Sequence, residues 1–402
     1  MSYSASGHSE SPWELRSVGD LCAVVTSGGT PSRSNSRYFN PGRVPWIKTG
    51  DLMDGYLTKY DEYISEDGVA NSSAKLLPPH TVLLAMYGAT VGRLGILSEP
   101  ATCNQAACAM VVDPAVAEPR WLFYVLLNDR IRIVSEANGA AQQNLSARAI
   151  KNFLYRTPSL YEQRAIARVL GALDDKIAAN IETAGTIDDY VAALFLEALT
   201  SAPVEDVALG ELAEINAEVR RPVSGGSLRY IDISSVSVGR FDFPALSSWD
   251  NAPSRARRGV RKGDTVWSTV RPNRRSHALN LSDDELLVAS TGLSVLSPRT
   301  VGFAYLYEAT RLPSFTTYLE SSAEGSAYPA VRPDRFAEAP VPLLKPSGVE
   351  AFEAVAAPLR EYVFSLDQEN QSLVATRDEM LPHLMSGKLR VKEAEKTVKE
   401  AL

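Results

Sequence analysis

The residues best equipped to grip another molecule are two arginine-rich runs in the second half of the chain. Arg255, Arg257, Arg258, Arg261 and Lys262 fall within eight residues, and Arg271, Asn273, Arg274 and Arg275 follow in STVRPNRRSHAL. The later group comes directly after the strand-like DTVWSTV, which places it on a loop at a strand end. Guanidinium forks and amides there suit phosphate contacts and paired hydrogen bonds to base edges. A solvated charged loop has the same composition, so the run alone does not decide between the two. In the first half the densest basic run is thinner: Arg33, Arg37, Arg43 and Lys48.

Residues for breaking or making bonds are harder to find. The chain has no G-x-G-x-x-G opening a helix, no P-loop and no H-E-x-x-H, nor a G-x-S-x-G elbow. SGGTPS (27–32) and GATVGR (88–93) are Gly-rich, but neither precedes a helix pattern, and both read as turns. Cys22, Cys103 and Cys108 leave an odd count with no His pair nearby, so neither a disulfide framework nor a zinc site is expected. The N-terminus MSYSASGHSESPW lacks a basic-then-apolar signal, and the longest apolar runs fall far short of a membrane span. A cytoplasmic chain that binds and positions is expected, with no membrane partner.

The net charge of −7 argues against a nucleic-acid partner until its distribution is followed. Residues 10–158 carry 14 basic and 14 acidic side chains, and residues 204–345 carry 17 of each. The stretches 159–200 and 346–388 each carry 3 basic and 7 acidic. The acidity therefore lies in those two stretches, and a neutral region can still present a basic face.

Those stretches also mark an internal repeat. VGDL (18–21) opens a strand-rich region, and LGEL (209–212) opens another 191 residues later. PSLYEQRAIARVLGALDDKI begins at Pro158 and PSGVEAFEAVAAPLREYVFSL at Pro346, 188 residues later. We divide the chain into 10–158 and 204–345 as two similar domains, 159–201 and 346–388 as long helices, and 389–402 as a tail. Short strands are predicted in VPWIKTGDL, TVLLAMYGATVGRLGIL and CAMVV, and in LRYIDISSV, DTVWSTV, ELLVAS and LSVLSP. A single helix is predicted over 118–136, and its counterpart over 303–322 should break or kink at Pro313. Strands first and helices later in each half, without βαβ alternation, indicate α+β domains.

In the long stretches the apolar residues alternate spacings of four and three. The first seam is Ile166, Leu170, Leu173, Ile177, Asn180, Ala184, Ile187, Val191 and Leu194. The second is Phe352, Ala356, Leu359, Val363, Leu366, Asn370, Leu373, Met380 and Leu384, with Arg377 as its one break. Such seams indicate a coiled coil. Pro358 is expected to delay the second helix to about Leu359 or to kink it. Each seam holds one Asn near its middle, Asn180 and Asn370. Antiparallel pairing would bring these together and set the register.

Several runs resemble the specificity subunits of type I restriction-modification systems. They are VGDLCAVVTSGGTPSRSNSRYF, VPWIKTGDL, MYGATVGRLGIL, NQAACAMVV, SLYEQRAIARVLGALDDKI and, near the end, MLPHLMSGKLRV. The resemblance runs from about Trp13 to Val391 in the family's order of recognition domain, long helix, recognition domain, long helix. It implies a non-catalytic chain: each domain would read one half of a bipartite, asymmetric site in double-stranded DNA, and the paired helices would fix the gap. It further implies two modification (methyltransferase) subunits that use S-adenosylmethionine, and ATP- and Mg-dependent restriction subunits; this chain would bind no cofactor itself.

On that reading the candidate DNA contacts in the first domain are Thr30, Ser32, Arg33, Lys48, Tyr87 and Arg93. Gln142, Gln143 and Asn144, amides in the small-residue turn NGAAQQN, join them. In the second domain they are Arg271, Asn273, Arg274, Arg275 and Tyr328. There INAEVRRPVSGGS replaces the GGTP turn, which weakens any transfer of roles. The competing reading is a coiled-coil adaptor that binds proteins without DNA specificity.

Overall fold

A computed structural model describes residues 13–139, 145–325 and 329–402. It forms two units, Met1–Ala179 with Asn370–Leu402, and Asn180–Glu369. Two long helices, Leu160–Ser201 and Pro346–Met385, contribute a segment to each unit.

In the first unit a five-stranded sheet runs in the order Cys22–Ser27, Ala107–Val112, Val82–Ala85, Leu94–Leu97, Gly55–Leu57, antiparallel except for its last pair. A smaller sheet joins Tyr63–Ile64, Val44–Ile47 and Thr102–Cys103. In the second unit two four-stranded sheets form. One is ordered Ala213–Ile215, Leu293–Pro298, Thr265–Ser268, His277–Leu279; the other is Leu246–Ser248, Ser227–Ile231, Leu287–Ser290, Ala256–Gly259.

The repeat shows best where each domain meets its helix. The entering and leaving strands pair antiparallel, Glu14–Ser17 with Leu154–Thr157 and Val204–Ala208 with Pro340–Leu344. VGDL and LGEL each form a single helical turn. Its acidic residue reaches back to the chain before it, Asp20 accepting from Ser17 N at 2.9 Å and Glu211 from Ala208 N at 3.1 Å.

The two long helices form where the heptads predict, and every seam position is buried or half-buried. Within the second unit Asn180 meets Glu369 and Asp188 meets Arg360, so partners descend along one helix as they ascend along the other. The pairing is antiparallel. The second helix begins at Pro346 and runs through Pro358, against the expectation of a start near Leu359. A proline inside a helix forfeits one hydrogen bond, but Phe352 and Ala356 on the turns before it are buried in the core, and that packing outweighs the loss.

The helix predicted over 118–136 is two helices, Pro119–Asn128 and Arg130–Gly139. Asp129 separates them, its carboxylate held by Arg132 and by Tyr155 Oη at 2.7 Å. The turn brings Ile133 and Ala137 into the core and leaves Ile131 in solvent. Its counterpart does break at Pro313, into Phe303–Arg311 and Pro313–Ser321, because the residue before a proline avoids the helical region. The tail, 389–402, forms a helix, Val391–Ala401, that buries Ala394 and Val398 in the first unit's core. Gly387, at φ +72°, provides the left-handed residue that ends the second long helix before it.

Candidate nucleic-acid interface

In the first unit Thr30, Ser32 and Arg33 lie on the loop after Cys22–Ser27. The glycines ahead of them serve close approach, not the tight turn expected of SGGTPS. A Cβ on Gly28 would come within 2.1 Å of Cys103 O, and one on Gly29 within 2.2 Å of the Ser73 carbonyl carbon. Trp46 Nε1 donates to Gly29 O at 2.9 Å, pinning the loop to the neighbouring strand. The Arg33 guanidinium lies 4.6 Å from the Phe39 ring centroid and 5.1 Å from that of Trp46.

Arg33 pairs with Glu62 at 2.6 Å, and Lys48, just past strand Val44–Ile47, takes the other oxygen at 2.8 Å. The hydrogen bond from Lys48, aided by Arg33, holds the Glu62 carboxyl below its ordinary range, and Glu62 raises the Lys48 pKa in return. Two candidate cations thus share one carboxylate. Thr30 Oγ1 bonds Gln105 Oε1, and Ser32 bonds Ser34 at 2.8 Å.

Tyr87 and Arg93 lie on the hairpin between Val82–Ala85 and Leu94–Leu97, where Gly88 and Gly92 adopt φ +79° and +83°. Tyr87 is half-buried against the core and Arg93 is exposed. Arg130 anchors the hairpin by donating to Gly92 O at 3.0 Å and pairing with Asp54. Met86 N donates to Ala106 O at 2.8 Å, beside the Gln105 that meets Thr30, so both candidate groups flank the turn 104–107. Leu145 N donates to Met86 O at 3.2 Å, which brings the chain after 144 in beside this hairpin. Gln142, Gln143 and Asn144 lie outside the described residues.

In the second unit Pro272–Arg274 forms a single 3-10 turn flanked by Arg271 at φ +52° and Arg275 at φ +53°. Two arginines in the left-handed region are strained, at about 1 kcal/mol or more each, and such strain concentrates at working loops. Asn273 and Arg274 face solvent. Arg275 turns the other way: its Nη2 donates to Arg311 O at 2.8 Å, at the end of helix Phe303–Arg311. Arg271 N donates to Pro329 O at 2.8 Å, bringing the chain after Tyr328 against this loop; Tyr328 itself lies outside the described residues. Beneath the loop, His277 stacks on Trp267 with centroids 4.7 Å apart and faces Arg275 O through Nδ1 at 2.6 Å. Burial pushes its pKa down to about 4, so at neutral pH the ring is uncharged and Nδ1–H donates.

Of the two seam asparagines, Asn180 is buried and donates Nδ2 to Glu369 Oε2 at 2.7 Å, while Asn370 is half-buried. Sequence reasoning missed Glu62 and Gln105, because nothing along the chain joins them to positions 30–48. It missed Gln163 and Glu353 as well. Each stands early in the long helix that leaves its domain and caps that domain's helix. Gln163 Oε1 accepts from Glu118 N at 3.0 Å, and Glu353 accepts from Ala304 N at 3.1 Å and Tyr305 N at 2.9 Å.

Residues 10–184 match the family model of the type I restriction modification DNA specificity domain. That match takes in the first domain and the first half of the long helix that follows it. The chain is 23% identical over 167 residues to the EcoR124I/EcoR124II specificity subunit of Escherichia coli, which covers 40% of this chain and 41% of that one. It is 28% identical over 172 residues to the MjaIX specificity subunit of Methanocaldococcus jannaschii, covering 41% of this chain and 38% of that one. Each alignment thus spans about two fifths of the curated relative. Among solved structures, a type I restriction-modification S subunit from M. genitalium superposes with a TM-score of 0.56 at 18% identity, over 94% of this chain and 97% of that one. That likeness establishes the shared fold. Among the described residues no helix is long and apolar enough to cross a membrane.

Proposed function

We propose that this chain is the non-catalytic specificity subunit of a type I restriction-modification complex. Each unit reads one half of a bipartite, asymmetric site in double-stranded DNA, and the paired long helices set the gap between the halves. The observation that carries this reading is the doubled plan. A strand-rich domain joined through paired end strands to a long helix occurs twice, while the sheets and the loops at strand ends differ between the two. Two copies of a fold with different loops suit two different half-sites. Two modification subunits supply the S-adenosylmethionine chemistry, and restriction subunits supply the ATP- and Mg-dependent steps.

Co-expression of the full chain with modification subunits, followed by mapping of methylated bases, tests the reading. The expected result is one bipartite motif that follows this chain when specificity subunits are exchanged. Methylation without sequence preference would overturn it in favour of a protein-binding adaptor. The spacing role has its own test: deleting one heptad from each long helix shortens the spacer by about 10 Å. The gap in the motif should shift by a few base pairs at most, or binding should be lost; an unchanged gap refutes the ruler.

A further inference from the structure

A second basic surface in the second unit draws together arginines that are far apart in sequence. Residues 218–220 run antiparallel to the strand Ala256–Gly259: Arg220 N donates to Arg257 O at 2.7 Å, Val219 bridges Arg258, and Gly259 N donates to Glu218 O at 3.0 Å. Residues directly opposite on antiparallel strands are neighbours, so Arg220 and Arg257 stand side by side along the backbone and Glu218 lies over Gly259. A Cβ on Gly259 would approach Glu218 Cδ to 2.8 Å, so the glycine makes room for that carboxylate.

Glu218 is claimed by both Arg220 and Arg261, the latter at 2.9 Å. Arg221 and Arg255 are exposed, and Arg257 donates to the backbone at Ala256 O. Two guanidiniums therefore share one carboxylate, and Arg221, Arg255 and Arg257 stand at neighbouring positions of the same two segments. Arg258 is set apart: it is partly buried and donates to Leu293 O, and burial lowers its pKa. Like charges placed directly across two strands destabilise the pair, and a bound polyanion relieves that cost.

The ribbon is continuous with the candidate reading loop. Thr291 N donates to Arg255 O at 2.8 Å, and Thr269, two residues before Arg271, donates through both N and Oγ1 to Gly292 O at 2.9 Å. The turn 290–293 thus links the Arg255 end of the ribbon to the start of the loop.

We propose that Arg220, Arg221, Arg255, Arg257 and Arg261 form a phosphate track for duplex DNA, which grips the backbone beside the loop 271–275 without reading its bases. The proposal rests on the DNA-reading function above. Its test uses the full chain in complex with modification subunits and a random-sequence duplex pool, from which the preferred motif is selected and binding is then measured against salt. For the triple variant Arg221→Gln, Arg257→Gln, Arg261→Gln, the slope of log K against log salt should fall by about 0.9 per lost phosphate contact, about 2–3 in all. The selected motif should stay unchanged. Lysine at the same three positions should restore the slope. Arg274→Gln should instead relax the motif in one half-site. A motif selected by the unaltered complex together with an unchanged slope in the triple variant overturns the track alone. No motif from the unaltered complex overturns the reading function and the track with it. Tighter binding to the single-stranded form of the same pool would overturn the duplex assignment.

Discussion

The two units fasten a strand-rich domain to the long helices with different chemistry. In the first, the domain helix Pro119–Asn128 buries Trp121, Leu122, Phe123, Tyr124, Val125 and Leu126, and the two ion pairs at its joint with the long helices are half-buried and lie apart from one another. Tyr124 Oη bonds Asp174, which pairs with Arg377 at 2.8 Å, and Arg120 pairs with Asp175 at 2.7 Å. In the second, helix Phe303–Arg311 brings Glu308 and Arg311 into a buried cluster with Asp188 and Arg360. Arg360 and Glu308 are only 5% and 3% exposed, and both guanidiniums sit over the Tyr307 ring, 5.0 and 5.1 Å from its centroid. Burial works to raise the Asp188 pKa, but Arg311 and Arg360 overcome it and hold the carboxyl below its ordinary range.

The contrast shows where each joint is vulnerable. An apolar joint loses stability in proportion to what is removed. A buried ion cluster is close to neutral while complete and costly once one member is missing, because the remaining charges stay buried without a partner.

The largest break in the comparison should therefore come from Arg360→Met. Its loss leaves Asp188 and Glu308 with Arg311 alone, and about 3–5 kcal/mol of stability should go from the second unit in chemical denaturation. A loss below about 1 kcal/mol would mean that the cluster is not buried as described. Acid should separate the units next. As pH falls from about 6.5 towards 4, the unfolded His277 takes up a proton that the folded ring refuses. The second unit then loses on the order of 3 kcal/mol, all of it retained above pH 6.5. Stability measured across that range for His277→Gln should lose this dependence, and an unaltered pH profile refutes the assignment.

Tyr124→Phe sharpens the comparison from the other side. Asp174 keeps Arg377, so the loss should be about 1–2 kcal/mol, smaller than for Arg360→Met, as read from hydrogen exchange in helix Pro119–Asn128. Arg33→Gln should cost least, under about 1 kcal/mol, because its pair with Glu62 is largely solvent-exposed. Its effect should appear as weaker DNA binding, and a large drop in thermal midpoint with unchanged binding would make Arg33 structural only.

Much of the architecture was legible beforehand because it is periodic. The seam positions of both long helices are buried or half-buried as their spacing demanded, and the break at Arg377 is filled by its pair with Asp174. The break at Pro313 was legible for a local reason, the exclusion of the preceding residue from the helical region. The turn at Asp129 was not, because it depends on Tyr155, well beyond the helix. Nor was the passage of the second helix through Pro358, where buried Phe352 and Ala356 override a local penalty.

The sequence by itself determined the doubled α+β plan, the two long helices and the neutrality of the domains, because repeat, heptad and charge balance are properties of neighbouring residues. Only the tertiary structure decided what each arginine does. Arg33 and Lys48 share Glu62, Arg275 points to a helix end, Arg311 and Arg360 are sealed in an ion cluster, and Arg220 is set beside Arg257. A guanidinium carries the same charge wherever it stands in the chain. Its role comes from the carboxylate, carbonyl or solvent that folding places beside it, and those partners are distant in sequence.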